Sequence, residues 1–155
     1  MLGLKYTATF DNITVSALQD LLTITAPSDA AVVILEGELS QQGDYGDAQA
    51  EGLRITINRY ATAGSGGTTL TSRPHEVGFP TAGSTVVRNN TSLGGTATLL
   101  MSRNWNIQAP IFHIPVPETR WVISPSGVFA ITLPTAPTPD SLQMSGWITF
   151  AEIGG

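Results

Sequence analysis

Cysteine is absent from this 155-residue chain. That removes disulfides, thiol nucleophiles and cysteine metal sites together, and leaves the redox compartment unread. Charge is also scarce, with Asp, Glu, Lys and Arg at 12% where an ordinary soluble domain carries about 25%. Lys5 is the single lysine, and the other basic residues are Arg54, Arg59, Arg73, Arg88, Arg103 and Arg120. The net charge of −5 and pI near 4.7 argue against a nucleic-acid or anionic-membrane partner, since either needs a basic field at contact distance. No apolar run approaches the ~18 residues of a membrane span. Met1 to Lys5 opens directly into strand-like sequence without a signal-peptide pattern. With only His75 and His113, three or four convergent zinc ligands are not expected.

What remains suits a β protein. The surface must be built from Thr, Ser, Asn, Gln and Gly, short or β-branched side chains that lose little rotamer freedom when another subunit covers them. Lysine and glutamate are the residues that interface cores exclude. The same composition also fits a plain, uncharged β-protein surface. Gly 16 and Pro 10 stay below the ~25–30% that marks disorder. At this length the size scaling leaves roughly 7,500 Å² exposed of the roughly 23,600 Å² an extended chain would show, enough for a core without staples.

Alternation predicts where the strands lie. Lys5 to Phe10 alternates, Asp11-Asn12 supplies a turn signal and Ile13 to Val15 continues, which reads as a strand or a hairpin. Asp20 to Thr25 alternates up to the break at Pro27 to Asp29. Ala30 to Leu39 places Val33, Leu35 and Leu39 on one face and Val32, Ile34, Glu36 and Glu38 on the other. Leu53 to Asn58 sets Leu53, Ile55 and Ile57 inward against Arg54, Thr56 and Asn58. These two runs are expected to pair, so that Arg54 faces Glu36 or Glu38. Further strands are expected at 85–88, 95–103, 107–116, 120–124, 128–133 and 142–153. In the last, Leu142, Met144, Ile148 and Phe150 share a face. The expectation is a single all-β domain over 1–155, an antiparallel β-sandwich, jelly-roll-like, of about nine or ten short strands. A long irregular loop at about 61–84 completes it. Edges guarded by so little lysine point to coverage by other chains.

The chemistry of an enzyme is missing. No Gly-x-Ser-x-Gly elbow occurs, and Gly64 to Gly67 lacks the Lys-Ser/Thr of a phosphate loop, so it reads as a turn. His113, between Phe112 and Ile114, reads as a half-buried strand residue, and His75 as an exposed loop contact. Asp44, Asp47 and Glu51 match no EF-hand loop and read as a solvated acidic loop. Calcium binding and a glycosidase role for Asp44 and Glu51 are the competing readings. Asn12-Ile-Thr14 and Asn90-Thr-Ser92 match the glycosylation pattern without a secretory context. Trp105, Trp121 and Trp147, with Tyr45 and Tyr60, supply either packing or an aromatic platform for sugars. Of these, Trp147 lies on the outward parity of its strand. No cofactor, metal or catalytic residue is expected, and the chain is read as a non-enzyme.

Ser40 to Asp44 leading into Ala50 to Ile57, the Gly64 to Gly67 turn with Ser72-Arg-Pro74, Asn89 to Thr91, Pro125 to Gly127, Met144 to Gly146 and Phe150 to Gly155 carry a resemblance. Across most of its length the chain resembles the small β-sandwich head decoration or cement proteins of tailed bacteriophages. The resemblance implies a homotrimer on the capsid exterior, made in the host cytoplasm, that binds the major capsid protein and clamps neighbouring subunits. On that reading the candidate contacts are Leu2 and Leu4, otherwise exposed apolar residues, and Arg73, His75 and Phe79 of the irregular loop. A phage tail or fibre domain, or a carbohydrate-binding module using Trp121 or Trp147, is the alternative.

Overall fold

The computed structural model describes residues 3–42, 52–137 and 141–154. Among them lie twelve strands and one 3-10 turn, Pro117–Thr119. The strands are β1 Leu4–Val15, β2 Gln19–Thr25, β3 Ala30–Gln41, β4 Gly52–Tyr60, β5 Thr68–Leu70, β6 Arg73–Pro74, β7 Thr85–Asn90, β8 Ala97–Asn106, β9 Ile111–His113, β10 Val122–Ile123, β11 Val128–Leu133 and β12 Leu142–Gly154. They form two six-stranded antiparallel sheets packed face to face. Sheet A runs β10-β3-β12-β1-β6, with β9 also on β3, and sheet B runs β5-β7-β2-β11-β4-β8. The expected all-β sandwich is therefore present, and it exposes 7860 Å². Its strands outnumber the expected nine or ten because the 61–84 segment, read as irregular, contributes β5 and β6.

Period-two alternation in the long strands builds the core. From sheet A, Tyr6, Phe10, Ile34, Met144, Ile148 and Phe150 point inward. From sheet B, Ile24, Ile55, Ile57, Phe129 and Leu133 meet them, all nearly or fully buried. Each large side chain removed from water in this way contributes about 1.5–3 kcal/mol. Tyr6 stacks on Phe150 with ring centroids 5.7 Å apart, and the last strand's inward set of Leu142, Met144, Ile148 and Phe150 is as expected.

Three local expectations are corrected. Asp11-Asn12 is neither turn nor hairpin: β1 runs through it as a bulge, with the register on β12 shifting between Phe10 and Ile13 and Asn12 at φ 52°. Ser145 absorbs the irregularity, its hydroxyl donating to Asp11 Oδ1 (2.6 Å) and accepting from Asn12 N (3.0 Å). In β3 a second bulge makes Leu35 the extra residue, because Thr149 pairs with Glu36 and Phe150 with Ile34. A bulge reverses parity, so Val32 and Ile34 face the core together with Leu39, while Val33 is not on the Leu39 face. Finally, β3 and β4 belong to different sheets. β3 pairs with β12, β9 and β10, and β4 with β11 and β8. Arg54 accordingly meets neither Glu36 nor Glu38, and its Nε donates to Ser102 Oγ at 2.9 Å.

Candidate functional site

The outer face of sheet A is rich in hydroxyl side chains, and the strand register arranges it in rows. Thr9 of β1, Trp147 of β12, Glu38 of β3 and Phe112 of β9 stand side by side across four strands. On one side of this row lie Thr7, Thr149 and Glu36, and on the other Ser145 and Ser40. Trp147 is partly exposed. Its Nε1 donates to Glu38 Oε2 on the next strand at 2.8 Å. The indole therefore reaches across the sheet from β12 toward β3. The Thr7 hydroxyl bonds to Thr149 Oγ1 (2.9 Å) and to His75 Nε2 (2.8 Å).

Beyond β3 the edge of sheet A carries an apolar ridge. Pro115 and Pro117 lack the N–H needed to continue the ladder from β9. The chain therefore swings out through the 3-10 turn, where Thr119 N donates to Val116 O at 3.0 Å, and returns when Ile34 N bonds to Trp121 O at 3.0 Å. Ile114, Val116 and Val122 are left 68%, 60% and 61% exposed. The expected strand at 107–116 is thus reduced to Ile111–His113, and the two prolines were the signal for it.

Under this ridge His113 stacks on Trp121, with centroids 4.2 Å apart and planes 13° from parallel. His113 is half-buried as expected, its Nε2 has no hydrogen-bond partner, and its pKa is lowered, first by burial and then by the charge of Arg103. A small apolar cavity of about 50 Å³ lies between the sheets here, lined by Ile55, Ile57, Met101, Trp121 and Phe129 among others. It has room for a methyl group or two, not for a substrate.

A polar network is buried on the far side of sheet B. The Thr132 and Tyr60 hydroxyls donate to Asp20 Oδ1 at 2.6 and 3.0 Å, and Asn58 Nδ2 donates to Thr132 Oγ1 and Thr56 Oγ1, both at 3.0 Å. Burial raises the pKa of Asp20, with Thr132, Tyr60 and the Gly94 amide pulling the other way, yet Oδ2 closes no hydrogen bond. At the end of the sandwich Glu152 accepts from Ser84 N (2.7 Å), Ser84 Oγ (2.6 Å) and Gly83 N (3.2 Å). Tyr6 OH donates to Pro80 O at 3.1 Å, and burial raises its pKa, helped by the charge of Glu152. These bonds fasten the segment before β7 to the core. Among the described residues no three His, Asp or Glu side chains gather to hold a metal ion, and no helix is long and apolar enough to cross a membrane.

Of the candidate contact residues, Leu4, Arg73 and His75 lie on or beside β1. Leu4 is half-buried and packs against the core. Arg73 and His75 are exposed beside β1, where Arg73 pairs with Thr7 and His75 N bonds to Lys5 O at 3.0 Å. Phe79 is half-buried. Leu2, Asp44, Tyr45, Asp47 and Glu51 lie outside the described residues. Of the tryptophans, Trp105 is 3% exposed and donates to Ala109 O at 2.6 Å, Trp121 packs against the core, and Trp147 lies on the outer face of sheet A, partly exposed. Tyr60 is in the Asp20 network rather than on an aromatic surface. Comparison with protein families, with curated proteins and with solved structures finds no match.

Proposed function

We propose that the chain is a virion structural protein: a decoration or cement protein that binds the major capsid protein on the outside of a phage head, as a homotrimer, and stabilises the shell. The observation that carries this reading is the ridge of Ile114, Val116 and Val122, more than half exposed along one sheet edge in a chain with a single lysine. Contiguous exposed apolar surface on a soluble domain marks a place where another protein binds. A surface of short hydroxyl and amide side chains around it is covered at low entropic cost. Three copies engaging several capsid subunits at once would add individually weak contacts through effective concentration, so that rupture must break many of them together. No step of this function needs a catalytic group, cofactor, nucleic acid or membrane.

The test uses phage heads prepared without this protein, to which the purified chain is added. Saturable co-sedimentation and a trimer in solution or on the particle are expected, with the pair Ile114→Asp and Val116→Asp abolishing attachment while the thermal transition is kept. A monomer that ignores the heads, or attachment indifferent to the two substitutions, would overturn the reading.

A further inference from the structure

We propose that the outer face of sheet A is a binding platform for an uncharged polysaccharide, centred on Trp147 and independent of the shell-binding ridge. The argument starts from the posture of the indole. An aromatic side chain on an open sheet face would ordinarily stand largely in solvent, whereas Trp147 is held down by its bond to Glu38 Oε2 at 2.8 Å and only partly exposed. A ring fixed in this way costs little further entropy when a ligand stacks on it. Its flat face matches the C–H face of a pyranose, and the surrounding groups match the hydroxyls.

The row supplies the rest of the site. Phe112, 48% exposed, pairs with Glu38 on the side away from Trp147. Two strand spacings separate the backbones of the two aromatics by about 10 Å, with Glu38 on the strand between them. That is a floor for consecutive sugar rings of an extended chain lying across the strands, with Glu38 positioned to accept a hydroxyl between two stacked rings. Thr9 lies in this row, and Ser145 and Ser40 lie two residues along from it on the same face.

Charge selects the class of glycan. Glu36 and Glu38 both face this surface; of the cations near it, Lys5 and Arg73 sit at the β1 margin, paired with Ala151 and Thr7, and Arg103 reaches the Phe112 carbonyl oxygen at 3.4 Å at the far end of the row. Sulfated or uronic-acid polymers would meet two carboxylates at the centre and are disfavoured. Neutral chains meet no such barrier.

The full chain is titrated calorimetrically with cello-, xylo-, manno-, malto- and laminari-hexaose, and with heparin as the anionic probe. Binding of at least one neutral hexaose and none of heparin is expected. Trp147→Ala should weaken that binding at least tenfold, Phe112→Ala severalfold, and Trp147→Phe should fall between wild type and Trp147→Ala. Ile114→Asp should leave it unchanged, which separates this site from the docking ridge. Should Trp147→Ala fail to fold, Phe112→Ala and Glu38→Gln carry the test. Absence of binding to every neutral hexaose at millimolar concentration, preference for heparin, or binding undiminished in the folded variants would overturn the proposal.

Discussion

The Tyr60 hydroxyl donates to Asp20 Oδ1 at 3.0 Å on the outer side of sheet B, where alternation alone would put both side chains in water. Asp20 is fully buried and Tyr60 is 8% exposed, because two turns come down on them. An ideal Cβ on Gly64 would lie 3.2 Å from Asp20 Oδ2, and one on Gly94 would lie 2.5 Å from the Tyr60 ring. The sandwich thus has a second, polar interior outside its apolar core. Within this network Asp20 Oδ2 closes no hydrogen bond.

The buried Asp20 carboxyl sets a pH dependence. Burial raises the Asp20 pKa above its ordinary 3.8, so the folded state holds the proton more tightly than the unfolded chain does. The associated stability is complete below the ordinary value and is lost as pH rises through the folded value. Asp20→Asn keeps the oxygen that Thr132 and Tyr60 use and cannot ionise. Its melting temperature is expected to exceed wild type by a few degrees at neutral and higher pH, with the gap closing toward pH 3. Calorimetry across that range checks it, and a constant gap would remove ionisation as the cause.

Gly94 tests how tightly the turn seals the network. A methyl group there would lie 2.5 Å from Tyr60 Cγ and Cδ2 and from the Thr62 carbonyl oxygen, none of which is a flexible chain end. Gly94→Ala is expected to destabilise by about 1–3 kcal/mol, the usual cost of overpacking. Gly52→Ala, where no atom of the described residues lies within 4 Å, is the matched control and should be close to neutral in urea unfolding.

Glu152 fastens the 79–84 segment through Ser84 N, Ser84 Oγ and Gly83 N. Replacing it by alanine leaves two amide donors without their acceptor at the sandwich end. Hydrogen bonds to a carboxylate are the stronger kind, and the expected loss is about 2–4 kcal/mol. Cleavage after Glu76 by a glutamate-specific protease should accelerate in Glu152→Ala and change little in Glu152→Gln, which keeps one acceptor oxygen.

How much of this was legible in the chain depends on the kind of interaction. Leu53 to Asn58 and Leu142 to Phe150 announced their inward faces because unbroken alternation reports burial directly. The outward parity of Trp147 was readable for the same reason, and so the centre of the platform could be placed. The orientation of β3 was not, because the extra Leu35 reverses parity partway along the strand and a bulge of this kind leaves no mark in composition. Alternation also says which face a residue takes and not which strand lies beside it, which is why β3 and β4 were paired wrongly. Thr56 and Asn58 were read as outward and are outward, yet they are only 5% and 6% exposed. Their cover depends on distant Asp20 and Thr132, a long-range match that no local pattern encodes.

His113 gives the acid limb of the stability profile. Burial and the Arg103 charge lower its pKa below the ordinary 6.5, so the folded state favours the neutral ring stacked on Trp121 at 4.2 Å. The corresponding stability is present above the ordinary value and is lost as pH falls through the folded one. Arg103 Nη1 makes only a long contact, 3.4 Å, to Phe112 O, so Arg103→Gln removes the like charge at small structural cost. The His113 ring should then titrate at higher pH than in wild type while remaining below the ordinary value, because burial, the larger cause, is untouched. Ring-proton chemical shifts followed against pH in the two proteins measure the difference directly. An unchanged midpoint would assign the whole depression to burial.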